Sequence, residues 1–160
     1  MTIKVGEKVP QGTFKYLSPE GPKEITTDEL FGGKKVAFFA VPGAFTPTCS
    51  LRHLPGYVDK IEALKAKGVD TVACLSVNDA FVMGAWGNAQ NAGDKVLMLA
   101  DGSGDFTKAV GLELDLTANG MGLRSKRYAM VVDDGVVKTL NVEAPGAFEV
   151  SSADAVLKAL

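Results

Sequence analysis

Short apolar runs recur along the chain, separated by glycine, proline or helix-capping residues. Lys35-Val36-Ala37-Phe38-Phe39-Ala40-Val41, Val69-Asp70-Thr71-Val72-Ala73-Cys74-Leu75-Ser76-Val77 and Val96-Leu97-Met98-Leu99-Ala100 are rich in β-favouring residues and predict buried strands. Between the first two, Tyr57, Val58, Ile61 and Leu64 fall at helical spacing before Gly68, with a kink expected at Pro55. Strand, helix and strand then make a right-handed parallel unit. Asp79 is placed to cap a second helix through Phe81, Val82, Ala85, Trp86 and Ala89. Asp133-Asp134-Gly135 joins two β-rich runs, Arg127–Val132 and Val136–Val142, as a hairpin, and Ser151 or Ser152 opens a last helix ending at Leu160.

The amino-terminal part is less patterned. Thr13–Leu17 and Glu24–Thr26, around Ser18-Pro19-Glu20-Gly21-Pro22, predict a small edge hairpin, and Thr27–Phe31 one helical turn beginning on a capping type of residue. Gly111–Ser125 reads as a long irregular loop, of the kind that often carries function. Asp101-Gly102-Ser103-Gly104-Asp105 lacks the spacing and terminal glutamate of a calcium loop and predicts a turn into a helix. The whole implies an α/β protein of thioredoxin-like fold: a central mixed β-sheet, helices on both faces and an N-terminal β-hairpin extension.

Composition narrows the function classes. The 160 residues, 46% hydrophobic and 22% charged, suit a single domain spanning 1–160. A net charge of −2 gives no electrostatic footprint for nucleic acid and no membrane anchor. The first residues lack the apolar core of a secretory signal, so a cytoplasmic protein is expected. Two cysteines without a CxxC spacing and a single histidine argue against a disulfide scaffold and against a zinc site; no cofactor and no metal are expected.

The chemistry concentrates in Val41-Pro42-Gly43-Ala44-Phe45-Thr46-Pro47-Thr48-Cys49-Ser50-Leu51-Arg52-His53. Thr46 as N-cap, its hydroxyl on a free backbone N–H, and Pro47 at the first helical position would make Cys49 the third residue of a helix. First-turn N–H groups lack intrahelical acceptors and favour a thiolate. Lowering a thiol pKa from about 8.5 to about 6 needs roughly 3.4 kcal/mol, more than the ~0.3–2 kcal/mol of a helix end. A cation is therefore expected nearby. Arg52 is the local candidate, while Arg124 and Arg127 approach from elsewhere in the fold.

Pro42, Thr46 and Cys49 within PGAFTPTC, followed by His53-Leu54-Pro55-Gly56, closely resemble the active-site signature of peroxiredoxins, in particular the type II or peroxiredoxin-5-like branch. The resemblance continues through Ala63–Val69, Cys74–Asp79, Leu99-Ala100-Asp101 and Asn141-Val142-Glu143. It implies the same thioredoxin-like fold and a thiol peroxidase that reduces hydrogen peroxide and alkyl hydroperoxides through a cysteine sulfenic acid. It also implies Cys49 as the peroxidatic nucleophile, Thr46 as a hydrogen-bond partner of the peroxide, Pro42 as a shield against water and Arg127 as the active-site arginine. A homodimer is implied too, with Phe45 and Phe81 as interface residues. The carboxyl-terminal resolving cysteine of animal members has no counterpart in Phe148-Glu149-Val150-Ser151-Ser152. Regeneration by glutathione with glutaredoxin, or by thioredoxin, is implied instead.

Several residues carry two readings. Cys74 alternates with Val72 and Ser76 on a buried strand, as a small core residue or as a resolving thiol. His53 is a structural or interface residue, or a base for Cys49; a four-residue offset points it down the helix. Trp86 with Phe81 and Val82 is core or dimer packing, or a stacking patch. A non-enzymatic alternative is a redox sensor that signals through oxidised Cys49.

Overall fold

The computed structural model describes residues 1–160. In chain order it contains β1 (Thr13–Ser18), β2 (Gly21–Thr26), α1 (Thr27–Phe31), β3 (Lys35–Ala40), a π-helical turn (Cys49–His53), α2 (Leu54–Asp59) and α3 (Ile61–Ala66). There follow β4 (Thr71–Ser76), α4 (Ala80–Ala89), β5 (Leu97–Ala100), α5 (Asp105–Ala109), β6 (Glu113–Leu116), β7 (Gly122–Ser125), β8 (Tyr128–Asp133), β9 (Val136–Val142) and α6 (Ala153–Ala159).

Seven strands form one mixed sheet in the order β2-β1-β5-β4-β3-β8-β9. β3, β4 and β5 run parallel, as the alternating apolar runs and intervening helices require, while β8 runs antiparallel to β3. The alternation along β3 divides the core cleanly. Ala37, Phe39 and Val41 face one apolar cluster with α2, α3, α4 and α6; Val36, Phe38 and Ala40 face the other with α1 and α5. Helices thus cover both faces. The β1–β2 hairpin is appended at the β5 edge, where Lys15 pairs with Ala100.

Local chemistry explains most element ends. Thr26 and Glu29 form a capping box, so the cap of α1 is one residue earlier than Thr27. Asp79 accepts from the Val82 N–H and Ser152 from the Ala155 N–H, capping α4 and α6. Asp134 and Gly135 both take positive φ in the two-residue turn between β8 and β9. Buried Asp101 accepts from the Phe106 and Thr107 N–H groups and from the Thr107 hydroxyl, so Asp101–Asp105 is the expected turn into a helix.

Three expectations need correction. Gly111–Ser125 is not an irregular loop: β6 and β7 pair as an antiparallel ribbon around a 3-10 turn at Thr117–Asn119. The alternation Glu113-Leu114-Asp115-Leu116 was the signal for it. The helix after Cys49 does not merely kink at Pro55. From Cys49 it runs as a π-helical turn closed by Leu54 N–H to the Cys49 carbonyl, just before the proline that cannot supply an N–H to the ladder. The following helix is also interrupted at Lys60, which separates α2 from α3.

Candidate active site

Antiparallel pairing of β8 with β3 sets Tyr128 opposite Ala40, so the residue just before β8 lies beside the segment that leaves β3. This brings together Cys49 and Arg127, 78 residues apart: an Arg127 terminal N–H donates to Cys49 Sγ at 3.1 Å. Arg127 precedes an interior strand that is second from the sheet edge. Its other terminal nitrogen donates to His53 Nδ1 at 2.8 Å. The guanidinium is a rigid planar fork, so binding one tine to His53 aims the other at the sulfur.

Cys49 is fully buried in the monomer's packing. The first backbone hydrogen bond of its helix runs from Ser50 N–H to the Thr46 carbonyl at 2.9 Å, so Thr46 and Pro47 do open the helix and Cys49 is its third residue. The Thr46 hydroxyl, however, does not cap a backbone N–H. It lies 2.7 Å from the Gly43 carbonyl and 2.9 Å from Cys49 Sγ. A hydroxyl has one proton and two lone pairs. Donating to Gly43, it accepts from the thiol; turned to the sulfur, it donates to a thiolate.

The loop that carries these groups is fixed to the end of β4. Asn78 Oδ1 accepts from the Ala44 N–H at 3.0 Å and from the Ser76 hydroxyl at 2.6 Å. Phe45, at φ 63, takes a left-handed conformation unusual for an aromatic residue and presents its ring to solvent. Asn78 was not singled out by sequence reasoning, because nothing in a lone asparagine before a capping aspartate marks a loop anchor.

His53, four residues after Cys49, is linked to the sulfur through Arg127, which bonds both side chains. It is fully buried, packed against Phe39 and Phe148, and its Nε2–H donates to the Ser151 carbonyl at 2.9 Å. Burial first, and then the Arg127 charge, depress its pKa from 6.5 to about 3. With Nδ1 occupied by Arg127, His53 holds the arginine and is not a base for the sulfur.

Ser151 is itself held. The Glu143 carboxylate accepts from the Glu149, Val150 and Ser151 N–H groups and from the Ser151 hydroxyl. Burial opposes its ionisation, but these donors outweigh it and lower its pKa. The Ser151 carbonyl also accepts from the Tyr57 hydroxyl at 2.8 Å. A connected scaffold therefore runs from Glu143 through Ser151 and His53 to Arg127 and Cys49. Neither Glu143 nor the Ser151 carbonyl was legible as a site element in the sequence.

A cavity of about 170 Å³ adjoins the site, lined by Pro42, Thr48, Leu114, Lys126, Arg127 and the 143–147 loop. Pro42 forms part of its wall. Cys74 lies on β4 in the same apolar cluster as Cys49, fully buried, and burial pushes its thiol pKa well up. Both cysteines are free thiols. Trp86 is a core residue whose indole N–H donates to the Ser50 hydroxyl at 3.0 Å, not a stacking patch. Arg52 stands over Phe148 at 4.7 Å, and Arg124 donates to the Met121 and Pro42 carbonyls, so neither is the cation on Cys49. No group of histidine, cysteine, aspartate and glutamate side chains is arranged to hold a metal ion.

A thiol on the first turn of a helix, at the carboxyl rim of a thioredoxin-like sheet and under an arginine, without the partner cysteine of a CxxC motif, defines a thiol oxidoreductase. The Redoxin family profile matches residues 4–157, and the chain belongs to that family. It is 51% identical to Peroxiredoxin-2B of Arabidopsis thaliana, over 99% of this chain and 98% of that protein. Among solved structures, reduced Prx3 of Vibrio vulnificus in complex with hydrogen peroxide is 60% identical, with a TM-score of 0.95 over 99% of each chain. Peroxiredoxin 5 of Alvinella pompejana is 37% identical, with a TM-score of 0.87 over 98% of this chain and 97% of that one. With such relatives along its length, the protein is a peroxiredoxin of the type II kind and a thiol peroxidase.

Proposed function

We propose that Cys49 is the peroxidatic cysteine and that hydrogen peroxide and alkyl hydroperoxides are its substrates. The thiolate sulfur attacks the terminal peroxide oxygen, which stays on the sulfur with its proton; the O–O bond breaks, and the other oxygen leaves as water or an alcohol after taking a proton. Cys49 becomes a sulfenic acid. Arg127, the Thr46 hydroxyl and the first-turn backbone N–H groups stabilise charge along the breaking bond, and Pro42 keeps bulk water away. The observation that carries this reading is the Arg127 fork, which binds the sulfur with one nitrogen and is fixed by His53 with the other. The peroxide-bound structure of the Vibrio vulnificus relative supports the substrate class.

Regeneration by an external thiol, glutathione with glutaredoxin or thioredoxin, is part of the proposal. The burial of Cys74 and its raised pKa weigh against it as a resolving thiol. A homodimer is supported by apolar side chains left exposed on the monomer, Phe45 at 57% and Phe81 at 63%, together with Leu51 at 77%. The two free thiols suit a reducing, cytoplasmic setting.

The test is intact-mass analysis and peroxide consumption of the wild type, Cys49→Ser and Cys74→Ser. Cys49→Ser is expected to lose turnover and Cys74→Ser to retain it with an external thiol. Turnover in Cys49→Ser would reject the assignment, and a Cys49–Cys74 disulfide in the oxidised wild type would move Cys74 into the reaction.

A further inference from the structure

The site holds more positive charge than a peroxide needs. Hydrogen peroxide and alkyl hydroperoxides are neutral at physiological pH, and Arg127 already serves the sulfur. Yet Lys126 lines the same cavity, its side chain hydrogen-bonded to nothing and in no ion pair. Beside it stands Arg124. In the β6–β7 ribbon Leu114 pairs directly with Arg124, so both side chains leave the same face, and Leu114 is part of the cavity wall. Arg124 donates through Nε to the Met121 carbonyl and through one terminal nitrogen to the Pro42 carbonyl at 3.4 Å, which fixes the guanidinium at the rim and leaves its second terminal nitrogen without a protein partner.

Acidic groups only partly offset these cations. Glu113 and Asp115 alternate with Leu114 and leave the opposite face of the ribbon. Glu143 is the one carboxylate in the cavity lining; it is held by three backbone N–H groups and a hydroxyl, and its single charge is outnumbered by Arg127, Lys126 and Arg124. The three ion pairs of the molecule lie elsewhere, at Lys15–Glu24, Lys23–Glu20 and Lys60–Asp154. A chain of net charge −2 therefore presents an excess of positive charge at the cavity that adjoins its reactive sulfur.

We propose that Lys126 and Arg124 form a carboxylate-binding subsite at the cavity beside Cys49, and that it recognises a small carboxylate-bearing thiol which reduces the sulfenic acid. The proposal rests on Cys49 being the peroxidatic cysteine. In the step it serves, the thiolate sulfur of the incoming molecule attacks the Cys49 sulfur and the S–O bond breaks. The oxygen leaves as water with the two protons of the reacting pair, and a mixed disulfide forms. A second thiol then attacks the sulfur of the first, releasing Cys49 as a thiolate and the reductant as its disulfide. A carboxylate held by Lys126 and Arg124 would keep the first thiol at the cavity while its sulfur reaches Cys49.

The sulfenic acid of the wild type, Lys126→Gln and Lys126→Glu is formed with one equivalent of hydrogen peroxide. It is then mixed with glutathione or with glutathione diethyl ester, which keeps the thiol and removes both carboxylates. In a second arm the reduced proteins meet a fatty-acid hydroperoxide or its methyl ester. The wild type is expected to react about tenfold faster with glutathione than with the diester at low salt, within the range that electrostatic steering provides. The preference shrinks in Lys126→Gln, vanishes or inverts in Lys126→Glu, and weakens as salt screens the charges. Equal rates with both thiols in the wild type, or the same preference in Lys126→Glu, would overturn the proposal. Charge discrimination confined to the hydroperoxide arm would overturn it too, by giving the subsite to the oxidant. Failure of hydrogen peroxide to oxidise Cys49 would instead remove the peroxidase reading beneath it, and mass analysis before the thiol is added separates the two failures.

Discussion

At the scale of single residues, the site is a set of donors with fixed directions. Arg127 supplies one N–H to Cys49 and one to His53, and His53 has a tautomer fixed by its neighbours, Nδ1 accepting and Nε2–H donating. A protonated His53 would set an N–H against the guanidinium inside the core. The consequence is measurable. Its folded pKa of about 3 lies below the 6.5 of an unperturbed histidine, so acid protonates the unfolded chain first. Stability is therefore fully present above about pH 6.5 and declines as pH falls from there toward about 3, by about 1.4 kcal/mol per unit, or about 2 kcal/mol at pH 5. Urea unfolding of the wild type is expected to follow that slope between pH 6.5 and 5, and His53→Gln to flatten it. Equal slopes would show that His53 titrates alike in both states. Of these residues the motif made Cys49, Thr46 and Pro42 legible, and the wider family resemblance pointed to Arg127. His53 was visible as a residue but not as a partner of Arg127, since that pairing joins residues 74 apart in the chain.

At the scale of elements, the strands and capped helices were the legible part, because period-two and period-3.6 patterns and capping residues are local signals. Asp79, Ser152 and the Asp134-Gly135 turn sit where their chemistry predicts. The β6–β7 ribbon was hidden because its strands span four residues each and are flanked by glycines, which read as loop. That ribbon brings Leu114, Arg124 and Lys126 to the mouth of the site. The opposite sheet edge offers an element-level test. The β1–β2 hairpin rests on α4 through Leu17: a Cβ on Gly84 would come within 2.8 Å of Leu17 Cβ and closer still to its Cδ2, so the hairpin or the helix must shift. Gly84→Ala should therefore cost about 1–3 kcal/mol of unfolding stability. Oxidation of Cys49 should be unchanged in the folded protein, because the hairpin lies at the far edge of the sheet from β8. Unaltered stability would show that the hairpin shifts freely on α4.

At the scale of the whole molecule, the fold brings to one point groups that the chain keeps far apart. Cys49 comes from the exit of β3, its arginine from the approach to β8, the loop anchor Asn78 from the exit of β4, and Ser151 from the segment before α6. Sequence patterning implied the sheet and its helical layers, but the antiparallel register of β8 on β3, which sets Arg127 beside Cys49, is a long-range pairing with no local signature. The exposed Phe45, Leu51 and Phe81 predict self-association: sedimentation of the wild type should give a dimer and Phe45→Glu a shift toward monomer, whereas a monomeric wild type would refute it.

The central claim is that the Arg127 guanidinium, held by His53, makes Cys49 react with peroxide. Stopped-flow fluorescence of Trp86, which is hydrogen-bonded to the residue after Cys49, can follow that step, with mass analysis to confirm the product. Arg127→Gln is expected to slow the second-order reaction of Cys49 with hydrogen peroxide by about 10²–10³-fold, the loss typical of one preorganised donor. A rate within twofold of the wild type would contradict the account.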